Sequence, residues 1–320
     1  MKALITGGMG FIGSNLANKL VSEGAEVTII DSMIPGLGGN DFNISEIKDR
    51  VKVVKKDIRD TEIINEVVKD KEYIFHLAGQ VDHKRSIENP LEDVGLRING
   101  TISLLEACRK NNPKAKIVFS STRAVYGEVK KIPVDEATRT NPKGMYAITS
   151  LAAENIILMY HNLYGIWATI VRLTNIYGPR HQMKRDYGIV NYFIKQALSR
   201  EPITVMGSGK ILRDFLYVED ACDALTECAK SKSTNGEILN IGTGKGISFI
   251  DMASQIRNLT GADIKLIEFP EYKKQLEPGD FVADDRKIKS MVGWKSKTKI
   301  EEGLVKSIDF YKRNKEWYWR

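Results

Sequence analysis

Short apolar runs and amphipathic stretches alternate along the first half of the chain. "KALIT" (2–6), "EVTIID" (26–31), "VKVVKKD" (51–57), "YIFHLA" (73–78) and "KIVFSS" (116–121) have the length and content of buried strands. Between them, "IGSNLANKLVSEG", "DTEIINEVVKD" and "GTISLLEACRKNN" carry apolar residues at helical spacing. Strands separated by helices of this length predict βαβ units and a parallel sheet. A helix over 146–164 and a sixth strand at "TIVRLTNIYG" (169–178) extend the pattern. Beyond 178 the periodicity is less regular. Helices are expected at "IVNYFIKQALSR", "FIDMASQIRNLTG" and "IEEGLVKSIDFYKRNKEW", and a strand at "EILNIG" (237–242). No repeat or flexible linker interrupts the chain, so its parts are expected to pack as one body.

The first strand runs into "ITGGMGFIG", with Gly7, Gly10 and Gly13 at GxxGxxG spacing. In a strand–turn–helix context these glycines have separate uses. The first makes the tight turn, the second lets backbone approach a pyrophosphate, and the third lets helix and sheet pack closely. The helix start then faces the phosphates. Asp31 ends the second strand, 18 residues after Gly13. Its carboxylate suits a ribose 2′-hydroxyl and repels a 2′-phosphate, which favours NAD over NADP. Asp57, after the third strand, suits the adenine edge equally well as it suits an ordinary strand end. The expected fold is α/β: a Rossmann-type doubly wound parallel sheet over 1–178 and a smaller, mixed, substrate-binding part over 179–320. Segments around 213–245 are expected to return to the first part.

Composition narrows the function classes. No apolar run approaches the roughly 20 residues of a membrane span. "MKALITGG" lacks the core and cleavage site of a secretory signal. Cys108, Cys222 and Cys228 form no CxxC pair and the four histidines are scattered, which predicts a reduced, cytoplasmic chain with no metal site. The net charge of +7 is spread along the chain. That pattern suits a solvated surface and phosphate-bearing small substrates, with neither nucleic acid nor membrane as a partner.

The glycine spacing resembles that of the extended short-chain dehydrogenase/reductase superfamily. "HLAGQVDH" (76–83), "FSSTRAVYGE" (119–128), "RLTNIYGPR" (172–180), "RDFLYVEDACDAL" (213–225) and "GWKSKTKIEEGL" (293–304) resemble further motifs of its nucleotide-sugar epimerase/dehydratase branch, the UDP-glucose 4-epimerase-like enzymes included. The resemblance covers essentially the full length. It implies bound NAD held by Gly7, Gly10, Phe11, Ile12, Gly13, Asp31, Asp57, Ile58, Leu77, Ala78 and Tyr146. It implies substrate contacts at Gln80, Thr122, Asn175 and Arg213, a homodimer built through the helix 146–164, and a nucleotide sugar, a UDP-sugar first, as substrate.

In that family a Ser or Thr, a Tyr and a Lys act together. The matching residues are Thr122 and, 24 positions on, Tyr146. Tyrosine is a poor base near neutrality because its ordinary pKa is about 10. A lysine one helical turn later lowers it by charge and holds the cofactor ribose. Here that position is Ser150, which carries no charge, while Lys143 lies in the preceding loop. Three explanations compete: a natural variant that recruits another cation or water, a form engineered to trap a complex, or a degenerate binding protein. A second departure is Arg97, where the family has asparagine; Asn99 lies nearby but out of phase. The plainer reading makes Arg97 a partly exposed helix residue.

Dehydratases of the branch carry Asp-Glu directly after the Ser/Thr, whereas this chain has Arg123-Ala124. Neither residue can act as acid or base in water elimination, so the sequence points to an epimerase, first at C4 of a UDP-hexose. A CDP- or GDP-sugar epimerase is the alternative, and a silent NAD- or nucleotide-sugar-binding protein is a different class. The planar fork of Arg213 suits phosphate, with a salt bridge to Asp214 as the plainer reading. No arginine stands beside "LEPGD" (276–280). The long loop 31–44 is expected to close over the adenosine side.

Overall fold

Five buried runs and their successors pair into one parallel sheet. The computed structural model describes residues 1–319, the side chains of 272, 273 and 275 apart. In chain order the strands are β1 (Lys2–Thr6), β2 (Glu26–Ile30), β3 (Val51–Val54), β4 (Tyr73–His76), β5 (Lys116–Thr122), β6 (Ala168–Leu173), β7 (Asn175–Tyr177), β8 (Ile203–Met206), β9 (Leu212–Tyr217), β10 (Ile238–Ile241), β11 (Gly246–Ser248) and β12 (Ile264–Ile267). The large sheet has the order β10-β6-β5-β4-β1-β2-β3. Its pairings are all parallel.

Both faces of this sheet are covered, which is why β1 is buried from Ala3 on and β6 is buried throughout, Arg172 included. Successive side chains still alternate. Ala3 and Ile5 join Leu16, Leu20 and Leu225 on one face, while Leu4 joins Ile64, Leu104 and Ile157 on the other. A third cluster, around Phe193, Val205, Met252 and Tyr311, fills the C-terminal part. There β8 pairs with β12, and β9 lies between β7 and β11. None of the described helices is long and apolar enough to cross a membrane.

Three of the differences from the sequence expectation bear on the site and its surroundings. "TIVRLTNIYG" is two strands: β6 ends at Leu173, and Asn175–Tyr177 leaves to pair with β9. An apolar run cannot reveal which sheet satisfies its hydrogen bonds. The terminal helix stops at Arg313, and a separate turn of helix covers Lys315–Tyr318. That turn stacks Trp317 on Phe42 at 4.8 Å, and Tyr318 donates to Asn43 at 2.6 Å, so the chain's end braces the 31–44 loop. Finally, the segment before Gly100 is helical in pieces: His83–Glu88, Pro90–Val94 and one wide π turn, Gly95–Asn99.

The long helix Met145–Tyr164 is pinned to the sheet by charge. Glu154, 1 % exposed, forms a two-pronged pair with Arg172 of β6, with Nη2 to Oε2 at 2.6 Å and Nε to Oε1 at 3.0 Å. Ser121 of β5 donates to the same carboxylate. Removing one partner strands the other's charge in the core. Glu154→Gln is expected to lower unfolding free energy by about 3–5 kcal/mol, read from urea titration. A loss below about 1 kcal/mol would show that the pair is not what holds this helix.

Candidate active site

In the sheet the chain reverses direction of winding between β1 and β4, and a cleft of about 410 Å³ opens there along the C-terminal strand ends. At one end sits the glycine turn. Gly7 has φ +71°, and a Cβ on it would lie 2.9 Å from the Ala78 backbone. A Cβ on Gly13 would lie 2.7 Å from Gly8 Cα. Gly10 caps the helix Phe11–Ser22 with no side-chain hydrogen bond, so the helix start faces the cleft through bare backbone. A pyrophosphate fits such a cradle. Asp31 borders it, accepting from Met9 N at 3.0 Å and Met33 N at 2.9 Å, and its burial raises its carboxyl above the usual range. Phe11, Ile12, Ile58, Leu77 and Ala78 also line the cleft. So do Ser32, Ile34 and Leu37 of the 31–44 loop, which forms a wall here.

At the other end β5 delivers Thr122, and the helix Met145–Tyr164 delivers Tyr146 from its first turn. Thr122 Oγ1 accepts from Ala124 N at 3.1 Å, which leaves the hydroxyl proton available to a ligand. Arg123 Nε donates to Asn175 Oδ1 at 2.9 Å, and its guanidinium lies 5.4 Å over the Phe281 ring. Desolvation, then the nearby charge of Arg213, pushes the Arg123 pKa down to about 9, still cationic at neutral pH. Arg213, 2 % exposed, donates to Leu212 O at 2.9 Å and Gly279 O at 2.5 Å and pairs with Glu277. With Lys56, Arg97 and Arg185 also at its walls, the cleft favours an anionic ligand.

Several expected residues are placed otherwise. Asp57 does not line the cleft: Arg59 chelates its carboxylate at 2.9 and 2.7 Å. The Gln80 side chain folds back onto the Asp82 backbone, and only its carbonyl is used nearby. Ser150 is 1 % exposed, lies off the cleft, and donates to Tyr146 O at 2.7 Å within its own helix. The ion-pair partner of Arg213 is Glu277, because Asp214 is buried among the amides of Thr243, Gly244 and Ala283. Arg97 is not partly exposed but 4 % exposed, with its guanidinium 5.3 Å from the Tyr146 ring centroid; Asn99 is the one that faces solvent.

Sequence reasoning did not place Arg185, Phe249 or Glu277 at the cleft. All three come from the less periodic C-terminal half. The available signal was compositional: a basic loop "MKRDYG", and an acid beside "PGD" where an arginine was sought.

A sequence model of the GDP-mannose 4,6-dehydratase family matches residues 4–307. The UDP-glucose 4-epimerase of Mycolicibacterium smegmatis is 31% identical over 316 residues, which cover 98% of this chain and 99% of that one. The UDP-glucose 4-epimerase of Thermotoga maritima, solved with UDP-glucose, superposes with a TM-score of 0.90 at 30% identity, covering 98% of this chain and 99% of that one. The Thermus thermophilus UDP-glucose 4-epimerase, solved with NAD, gives 0.87 at 29% identity, covering 98% and 99%.

Two histidines beside the cleft are held neutral. Burial lowers His76 and His181 to about 3. The unfolded chain takes up these protons near pH 6.5, so between 6.5 and 3 it binds more protons than the native state. Their contribution is therefore fully present above pH 6.5 and is lost as pH falls toward 3. The urea midpoint should drop more steeply from pH 7.5 to 5 in the wild type than in His76→Gln. Equal slopes would show that His76 is not held neutral by the fold.

Proposed function

Because this chain belongs to the GDP-mannose 4,6-dehydratase family of nucleotide-sugar epimerases and dehydratases, we propose that it is an NAD-dependent epimerase acting at C4 of a UDP-hexose. The cradle at Gly7, Gly10 and Gly13, with Asp31 beside it, would hold the dinucleotide. NAD when bound supplies the hydride acceptor and returns the same hydride, so no net redox partner is consumed.

The observation that carries the choice of epimerisation is Arg123. The cleft-lining carboxylates among the described residues are Asp31, Asp186 and Glu277. None directly follows Thr122 in the chain, where dehydratases of the branch carry their acid pair. The position that follows Thr122 instead holds a guanidinium tied to Asn175. Thr122 and Tyr146 would grip one sugar hydroxyl, Tyr146 taking its proton as phenolate when the ring carbon is oxidised and giving it back to the same oxygen when the turned keto-sugar is reduced on its other face. Asn175 and Arg213 would hold the diphosphate, whose charge competes with Glu277 for Arg213. The UDP preference rests on the relatives solved or named as UDP-glucose 4-epimerases.

The purified chain should interconvert UDP-glucose and UDP-galactose with no NAD added. Tyr146→Phe should lower kcat by at least about 10²-fold while leaving the urea midpoint unchanged. A 4-keto-6-deoxy product would make the chain a dehydratase. Absence of turnover on UDP-, CDP- and GDP-sugars alike would favour a binding protein, the reading that the neutral Ser150 supports.

A further inference from the structure

A phenol becomes a better base near neutrality when hydrogen bonds favour its phenolate or a positive charge stands within about 4–6 Å of it. On its own helix Tyr146 has none: Ser150 is neutral and turned into the helix backbone. Lys143, in the loop before, is bonded to Glu128 at 2.9 Å. The groups that face the ring come from neighbouring elements. His83, from the helix His83–Glu88, meets it edge-on at 4.9 Å. Asp93, from Pro90–Val94, accepts from Thr149 at 2.5 Å. Arg123 follows Thr122, is tied to Asn175, and stands close enough for its charge to interact with Tyr146. Arg97, from the π turn, places its guanidinium 5.3 Å over the ring.

We propose that Arg97 is the positioning residue that supplies the cation for Tyr146, in place of a charge on the tyrosine's own helix at 150. The inference rests on the reading of Tyr146 as the base. Three further observations support it. Arg97 is 4 % exposed, and its Nε is buried without a hydrogen-bond partner, although Nη2 donates to Gln80 O at 2.7 Å. A buried guanidinium so incompletely bonded is costly unless something anionic or π-rich faces it. The buried carboxylate of Asp93, whose charge interacts with Arg97, and the ring do so now, and the phenolate would add to them. The site is also shaped for this side chain. A Cβ on Gly79 would lie 2.6 Å from Arg97 Cζ, so a side chain there would push the guanidinium from this position. And the backbone that aims Arg97 is fixed: Thr101 Oγ1 donates to Arg97 O at 2.5 Å and bonds the buried His76 ring at 3.0 Å. The wide turn Gly95–Asn99 turns Arg97 inward while Asn99 faces solvent. The two unusual residues, Ser150 and Arg97, thus answer each other across the same ring.

The test is a pH titration of 13Cζ-tyrosine-labelled protein by NMR, with the Tyr146 resonance identified by its loss in Tyr146→Phe. In Arg97→Gln the phenolate fraction at a given pH should fall about 10- to 100-fold. Arg97→Lys should retain part of it, and Ser150→Lys added to Arg97→Gln should restore at least about tenfold. The kcat of Arg97→Gln should fall by a similar factor near pH 7 and recover as pH is raised, with KM changed less. If Arg97→Gln does not fold, Gly79→Ala, which displaces the guanidinium, should show the same change. A Tyr146 resonance that titrates alike in wild type and variant overturns the proposal, as does a kcat deficit that is the same at every pH. The NMR titration needs no substrate. A chain inactive on every nucleotide sugar would thus sink the epimerase reading while the role of Arg97 is still decided.

Discussion

The carboxylate of Glu154 holds three elements in one register. It sits two turns beyond Tyr146 on the helix Met145–Tyr164, pairs with Arg172 on β6, and accepts from Ser121, the residue before Thr122 on β5. The distance between Thr122 and Tyr146 is therefore set by a buried ion pair as well as by apolar packing. Such a pair stabilises little by itself, because desolvation of both charges offsets most of their attraction. Its larger effect is on geometry: a helix sliding along the sheet would leave two buried charges without partners.

Around that anchor the cleft divides by chemistry. The glycine end offers bare backbone and a helix start, which suit phosphates. The tyrosine end offers hydroxyls and guanidinium groups. Each arginine at the walls is held by a different set of partners: Arg123 by Asn175, Arg213 by two carbonyls and Glu277, Arg97 by Gln80 O and the Tyr146 ring, and Arg185 by Thr204 and the Tyr192 ring. Partners of this kind hold the cations in the cleft against their mutual repulsion, so the positive field stays along the path of an anionic ligand.

Local pattern was informative wherever one residue's neighbours in the chain are also its neighbours in space. The glycine turn is such a case: Gly7 and Gly13 meet within seven residues, and Asp31 reaches Met9 N across one strand pairing. Asp57 was ambiguous in sequence because its partner, Arg59, competes only once the turn is built. Gln80 lies in a motif of the right shape, yet its side chain closes on the amide two residues away. The strand 169–178 was divided in two by a hydrogen-bonding partner, β9, that comes some forty residues later.

By itself the sequence determined the alternation of strands and helices and the glycine turn, because hydrophobic period and glycine spacing are local properties, while its resemblance to a family pointed to Thr122 and Tyr146. It also exposed the missing charge at Ser150. What stands over the tyrosine instead was decided only in three dimensions. Whether Arg97 points to water or to the ring depends on a widened turn, on the missing side chain of Gly79 and on the packing of His76 and Thr101. These are contacts between segments far apart in the chain, and no periodicity within the segment that holds Arg97 encodes them.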